Sequence, residues 1–382
     1  MSPIRQGFYH FYNGYARCYL SSRERSVVLS ASPSLWNLQN SGKNGYYVYA
    51  NESELLLDID NARVAQGSTV KLWEETGYDV QIWNVSPNPN GTVSFLYSGD
   101  HRFCLGFSGQ SPVLQIRNPR DPLQEWIPRP AEGRKNGFCM ESRGGIVSLA
   151  LPTDMEGVIS ADRLQLWANR LETAYKSYGE LAGFFPFSSI TVKAEKNVPD
   201  PSYVGWVYPN SNVIHYAEAY VRKDLEQMTR RRCDWNFCVL HEMSHLFDFG
   251  MPWNFEGELM ADLKLAYVLE KSNGAAALGN SPDPDVFYGA DIAIAYGKMS
   301  RDFSQSYDIF GCAKRFLDFQ KNVGWEPFRR SFHRLYANRS QYGNISNTEK
   351  FYLFVKTLSA FSGADAAKIF TPREWNAILK SL

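Results

Sequence analysis

The chain has 382 residues, and its 40 Lys plus Arg are balanced by 40 Asp plus Glu. A formal charge of zero without basic blocks argues against nucleic acid and anionic membrane surfaces as partners. The length exceeds one compact core and fits two or three domains, and no apolar run is long enough to predict a transmembrane segment.

From Gly7 to about Gly145 the sequence runs in short, alternating apolar stretches broken by Gly, Asn, Pro and Ser, the pattern of an all-β unit. Three segments share an outline. Cys18-Tyr19-Leu20 leads to Leu35-Trp36, and Leu56-Leu57-Asp58-Ile59 leads to Val70-Lys71-Leu72-Trp73 and then Gln81-Ile82-Trp83. Cys104-Leu105-Gly106 leads to Val113-Leu114-Gln115-Ile116 and then Gln124-Glu125-Trp126. Trp36, Trp83 and Trp126 therefore recur at a spacing of roughly forty-odd residues, the mark of one structural unit used three times.

These segments resemble the ricin-type β-trefoil lectins, whose repeats end in Gln-x-Trp. The motif is intact in the second and third repeats and lacks its glutamine in the first. The resemblance implies a pseudo-threefold barrel over residues 1–150, held by the three tryptophans. A sugar site needs an acid or amide for paired hydroxyls and a ring for the apolar sugar face. Only the second repeat offers both where the lectins have them, as Asp58 and Trp73, with Asp79 and Gln81 nearby. Val80 departs from the pattern, since such lectins place an asparagine there. Glycan binding through Asp58, Trp73, Asp79 and Gln81 is thus expected, and a spacer or protein-docking role is the alternative.

Gly144-Gly145 through Pro152-Thr153 reads as a junction. A helix is predicted from Ala161 to about Leu181, with Leu164, Trp167, Leu171, Tyr175 and Tyr178 on one face. Strands are predicted over 189–194, 203–208 and 213–216. His215 alternates with apolar residues and has no metal partner at helical spacing, so it reads as an ordinary strand histidine.

His241-Glu242-Met243-Ser244-His245 has the form H-E-x-x-H. Residues four apart stack on one helix face, so both imidazoles can reach one ion while Glu242 lies beside them. The flank from Trp235 to Leu240 and the following Leu246-Phe247 are apolar, which predicts a buried helix carrying polar residues that need a purpose. Zinc requires a third protein ligand and an open position for water. Glu256 and Glu258 compete for that role. Glu258 has Asp262 one helical turn further on, where a carboxylate could fix the tautomer of a ligand histidine; Glu256 has Met260 there. One Zn²⁺ is therefore expected on His241, His245 and Glu258, with Asp262 behind a histidine and Glu242 as general base. Val204-Gly205-Trp206-Val207 is the expected edge strand for a substrate backbone, with Gly205 allowing close approach.

Two histidines followed by a glutamate and an aspartate four later are similar to the gluzincins, although the step from His245 to Glu258 is shorter than in thermolysin-type enzymes. The run Glu258 to Val268 resembles the glutamate helix of the enhancin-like, mucin-degrading metallopeptidases (peptidase family M sixty). Val323-Gly324-Trp325-Glu326-Pro327-Phe328-Arg329, Leu335-Tyr336 and Gly363-Ala364-Asp365 also match that family's outline. The resemblance covers residues 155–382. It implies a zincin-like α+β catalytic subdomain over 151–270, a helical C-terminal subdomain over 271–382, and hydrolysis of O-glycosylated, mucin-like proteins.

The combined expectation is a multidomain zinc endopeptidase tethered to glycoproteins by a lectin-like module. The alternative is a carbohydrate-binding lectin or toxin-like protein with a general or degenerate peptidase site. Action outside the cell or at its surface is expected, although Met1 to Arg5 does not open a signal peptide. Six scattered cysteines without C-x-x-C support neither a zinc ribbon nor a thioredoxin-type site, and Cys233 and Cys238 read as structural. Tyr288, Tyr296 and His333 receive no catalytic role.

Overall fold

In a computed structural model, the short alternating runs of the first third become twelve strands, four to each of the three sequence repeats. The structure describes residues 4–41, 43, 45–132, 137–155, 159–230, 234–278, 285–303, 306–342 and 345–382; Cys233 lies outside them. The chain divides into two units, Met1–Phe138 and Cys139–Leu382.

The first repeat contains β1 (Gly7–Asn13), β2 (Cys18–Arg23), β3 (Ser26–Ser30) and β4 (Trp36–Asn40). The second contains β5 (Tyr46–Ala50), β6 (Leu55–Ile59), β7 (Val70–Trp73) and β8 (Ile82–Pro87). The third contains β9 (Val93–Tyr97), β10 (Phe103–Ser108), β11 (Ser111–Ile116) and β12 (Ile127–Pro130). In each repeat the middle two strands form a hairpin, and the first strand pairs with the second. The last strand of each repeat pairs with the first of the next, and β12 closes the ring on β1 with Tyr9 opposite Pro130. This threefold, edge-closing connectivity is what the repeat predicted. Trp36, Trp83 and Trp126 are fully buried, and equivalent indole N–H groups of Trp36 and Trp83 donate to the carbonyls of Leu20 and Leu57 at 2.8 and 2.9 Å. Each such ring removes roughly 200 Å² from water, an upper-bound contribution of about 5 kcal/mol, so these tryptophans hold the fold and are closed to ligands.

The second unit opens earlier than the sequence suggested. The division falls at residues 138 and 139, not at 150, because β13 (Gly137–Glu141) and β14 (Val147–Pro152) belong to its five-stranded sheet. Val147, Leu149 and Leu151 alternate into a buried face, and β14 runs parallel to β15 (Ile190–Glu195), with Val147 opposite Ile190. Parallel neighbours need a crossover, and α1 (Ala161–Ala182) supplies it, with Leu164, Trp167, Leu171, Tyr175 and Tyr178 buried as its periodicity predicted. Gly183 ends it at φ 86°, a left-handed cap. The sheet is completed by β16 (Gly205–Val207) on its edge, antiparallel to β17 (Val213–Ala217), in the order β13-β14-β15-β17-β16.

After α2 (Glu218–Arg230), β18 (Trp235–Asn236) leads directly into α3 (Phe237–His245). The next helix, α4 (Gly257–Ser272), is buried without interruption from Leu259 to Leu269 and packs against α1, α3 and a later helix, Ile309–Val323. The strands β19 (Ala275–Leu278) and β20 (Asp285–Tyr288) follow, then α5 (Ile292–Met299), α6 (Ile309–Val323), α7 (Glu326–Ala337), α8 (Asn347–Ser362) and α9 (Pro372–Ser381). The expected division at 270 does not appear. Packing of α4 on α6 and of α1 on α7 keeps residues 271–382 in one unit with the preceding sheet and helices. No helix among the described residues is long and apolar enough to cross a membrane.

Candidate metal centre

The Asn236 side chain accepts the Cys238 N–H at 2.7 Å and starts α3, which carries His241, Glu242 and His245. Glu256 plays the same part for α4, accepting the Leu259 N–H at 2.6 Å and the Tyr307 hydroxyl at 3.0 Å. A carboxylate engaged as a helix cap is not available as a ligand. Glu258, two residues later on the exposed first turn, faces the histidines.

His241 Nε2 and His245 Nε2 are 3.1 Å apart, and Glu258 places Oε2 2.9 Å from the first and Oε1 3.5 Å from the second. Donors each about 2.0–2.1 Å from a tetrahedral ion lie roughly 3.3 Å from one another, and these separations bracket that spacing, with a different Glu258 oxygen nearest each imidazole. Among the described residues, His241, His245 and Glu258 are the group whose donor atoms so converge, all within 4.8 Å of one another. Asp262, fully enclosed, accepts from His241 Nδ1 at 2.8 Å, which assigns the proton to Nδ1 and leaves Nε2 as a donor toward an ion. Tyr296, also buried, donates to the backbone carbonyl of Asp262 at 3.1 Å and braces α4 from behind.

The charges of the cluster are strongly coupled. Burial opposes a charged His241, yet hydrogen bonds to Asp262 and Glu258 hold its pKa well above the ordinary value. Burial and the neighbouring His241 push His245 down to about 3. The hydrogen bond from His241 holds Glu258 below the usual carboxylate range, against its partial burial. Burial raises Glu242 to about 7, opposed by His241 and reinforced by Glu258. A carboxylate with that pKa is matched to proton transfer near neutral pH.

The expected edge strand lies over this helix. A Cβ at Gly205 would stand 2.8 Å from Glu242 Cγ and 3.2 Å from Cys238 Sγ and Tyr216 Cδ2. The glycine is thus required by Glu242 packing beneath the strand, whereas the sequence reading assigned it to substrate approach. Val204 precedes the strand and accepts the Ala217 N–H at 2.9 Å. Trp206 is buried, stacked on His215 with ring centroids 5.2 Å apart, so its ring braces the strand. Val207 ends the strand, half-buried. His215 bonds Glu195 at 2.8 Å and takes no part in the metal cluster. His333 Nε2 contacts the Glu180 carbonyl at 2.9 Å, and Tyr288 is exposed.

Two residues escaped the sequence reading. Lys264, in the middle of α4, is fully buried, and its ammonium reaches both oxygens of buried Asp248 at 2.7 Å. The available signal was a lysine within an otherwise apolar helical run, a residue that burial tolerates only with a partner.

In the first unit, Asp58 and Gln81 are buried and hydrogen-bonded to one another, and burial raises the Asp58 carboxyl to about 7. Gln81 also clamps the turn before β8, donating to the Glu74 carbonyl at 2.7 Å and accepting the Thr76 N–H at 2.8 Å. Trp73 lies under Lys71 Nζ at 3.9 Å and Arg25 Cζ at 4.5 Å from its ring centroid. Asp79 is solvent-facing and ion-paired to Lys43 at 2.7 Å. The structure brings Asp58 and Gln81 together, sets two cations over Trp73, and turns Asp79 outward.

No protein-family model and no curated protein matches the chain. Among solved structures, it is similar to the designed threefold-symmetric protein ThreeFoil at 20% identity, over 32% of this chain and 97% of that one, with a TM-score of 0.29. It is similar to a mosquitocidal holotoxin at 20% identity over 36% of this chain and 20% of the toxin, with a TM-score of 0.30. A Polyporus squamosus lectin matches at 16% identity over 47% of this chain and 68% of the lectin, also with a TM-score of 0.30.

Proposed function

We propose that this chain is a zinc-dependent endopeptidase in which a ricin-type β-trefoil docks glycans and a zincin-like unit cuts O-glycosylated, mucin-like proteins. The observation that carries the reading is the convergence of His241 Nε2, His245 Nε2 and Glu258 on one point, with Glu242 beside it and Asp262 behind it. Zn²⁺ held by those three residues would activate a water and polarise a peptide carbonyl. Glu242 would serve as the general base, accepting a proton from the attacking water and returning it to the leaving amine. Asp262 keeps the His241 proton on Nδ1 throughout. The outer side of β16, which is the edge of its sheet, pairs with the substrate backbone and sets the scissile bond over Glu242.

The mucin-like substrate class follows from the family resemblance of residues 155–382 and the threefold β unit upstream. Weak glycan binding on a multivalent substrate raises the local concentration of the catalyst. The test is zinc content together with cleavage of glycosylated and deglycosylated mucin by the wild type and Glu242→Gln. Zinc at one per chain, cleavage favouring the glycosylated form and loss of turnover by a hundredfold or more in the variant are expected. Undiminished hydrolysis by Glu242→Gln refutes the mechanism, and equal cleavage of both mucins refutes the substrate class.

A second reading is a carbohydrate-binding or toxin-like protein whose metal cluster performs no hydrolysis. What favours it is the first unit itself, a closed threefold module with its own hydrophobic core. Glycan-array binding without zinc-dependent cleavage would establish it.

A further inference from the structure

Taking the zinc reading as its basis, we propose that Asp248 and Lys264 form a charge-neutral support for the metal centre: Asp248 backs His245, and Lys264 cancels its charge. Lys264 is the one fully buried Lys or Arg among the described residues. Its ammonium donates to both Asp248 oxygens at 2.7 Å and to the Met260 carbonyl at 2.9 Å, which satisfies all three protons. Asp248 accepts in addition from the Trp253 indole at 2.9 Å. The pair ties Asp248, in the turn three residues past His245, to Lys264 on α4, six residues past Glu258.

Stability alone does not call for such a pair. Replacing a buried ion pair with well-packed apolar residues is often neutral or stabilising, and α3 and α4 already bury Val239, Leu240, Met243, Leu259 and Leu263. Its location supplies the reason. Asp248 Oδ2 lies 3.8 Å from His245 Nδ1, beyond hydrogen-bond reach, whereas Asp262 Oδ1 accepts from His241 Nδ1 at 2.8 Å; each imidazole thus has a buried carboxylate behind it, bonded at His241 and acting only through its charge at His245. Glu242, Glu258, Asp248 and Asp262 would together overload a divalent cation with negative charge, and Lys264 removes one of the four from the sum.

The test measures zinc affinity on the full chain by competition with a chromogenic chelator, for wild type, Asp248→Asn, Lys264→Met and the double variant. Asp248→Asn leaves an uncompensated buried ammonium and weakens zinc binding about tenfold or more. Lys264→Met leaves an uncompensated carboxylate and tightens it by a similar factor. The double variant returns to within a few-fold of wild type. A purely structural tie shifts both single variants in the same direction, and that result, or four equal affinities, overturns the proposal. If Lys264→Met does not fold, as judged by circular dichroism of the metal-free protein, Asp248→Asn against the double variant decides: recovery supports the balance, and no recovery overturns it. A wild type that takes up no zinc overturns the metal reading itself, and the charge balance falls with it.

Discussion

Adding a single methyl group at Gly205 probes the contact on which the proposed catalytic geometry depends. A Cβ there would stand 2.8 Å from Glu242 Cγ and 3.2 Å from both Cys238 Sγ and Tyr216 Cδ2. Carbon atoms rest about 3.5–4.0 Å apart, so Gly205→Ala must separate strand and helix, or swing Glu242, by roughly 0.7–1.2 Å. Cys238 and Tyr216 crowd the same point, and β16 is held by pairing on one side only, so the strand yields along with the Glu242 side chain. Overpacking of this size costs about 1–3 kcal/mol of stability. A displacement near 1 Å at a reacting group costs on the order of a hundredfold in rate. His241, His245 and Glu258, the proposed zinc ligands, are not involved in the clash, so metal content is expected to stay at the wild-type value. The assay is kcat/KM on a glycosylated mucin substrate, with zinc stoichiometry and the melting temperature measured on the same preparations. Wild-type turnover together with a wild-type melting temperature would show that Glu242 does not pack against β16. Loss of zinc in step with activity would place the damage in the ligand set and refute the argument as well.

The other predictions concern the two glutamates of α4 and the buried acid of the first unit. Glu258→Gln should lose stoichiometric zinc, whereas Glu256→Ala should keep it and lose about 0.5–2 kcal/mol of stability, because Glu256 caps the helix. Reversal of that pattern in metal analysis and thermal melts would make Glu256 the ligand. Asp58 has its pKa raised from 3.8 to about 7, so the folded chain holds a proton that the unfolded chain releases between those values. Stability is therefore lost as pH rises from about 4 to 7, by on the order of 2–4 kcal/mol in all. Asp58→Asn removes that penalty. It should raise the melting temperature at pH 8 clearly more than at pH 5, and an equal shift at both would show that Asp58 is not held protonated.

Much of this molecule was legible in the sequence because its signals are local or periodic. The recurrence of Trp36, Trp83 and Trp126 forces one four-strand unit to be used three times, since each ring must be buried in an equivalent place. The H-E-x-x-H spacing puts two imidazoles on one helix face by geometry alone, and Asp262 is one turn from Glu258 for the same reason. What the tertiary structure decided are the relations between elements distant in sequence. Whether β14 belongs to the unit before or after it depends on its pairing with β15, which no local pattern encodes. The spacing to Asp262 already favoured Glu258 over Glu256, and the structure adds the reason Glu256 is occupied: it caps α4 and accepts from Tyr307. The cations over Trp73 come from β7 itself and from Arg25 in the turn between β2 and β3, and their effect on a sugar face appears only once the strands are assembled. Lys264 and Asp248 are sixteen residues apart and met because burial of a charge demands a partner, whichever segment can bring one. The sequence by itself named His241, Glu242, His245, Glu258 and Asp262 as a candidate set, because helical spacing is local; the packing of α3, α4 and β16 brought them together and added Asp248 and Lys264, because contacts between distant segments are not.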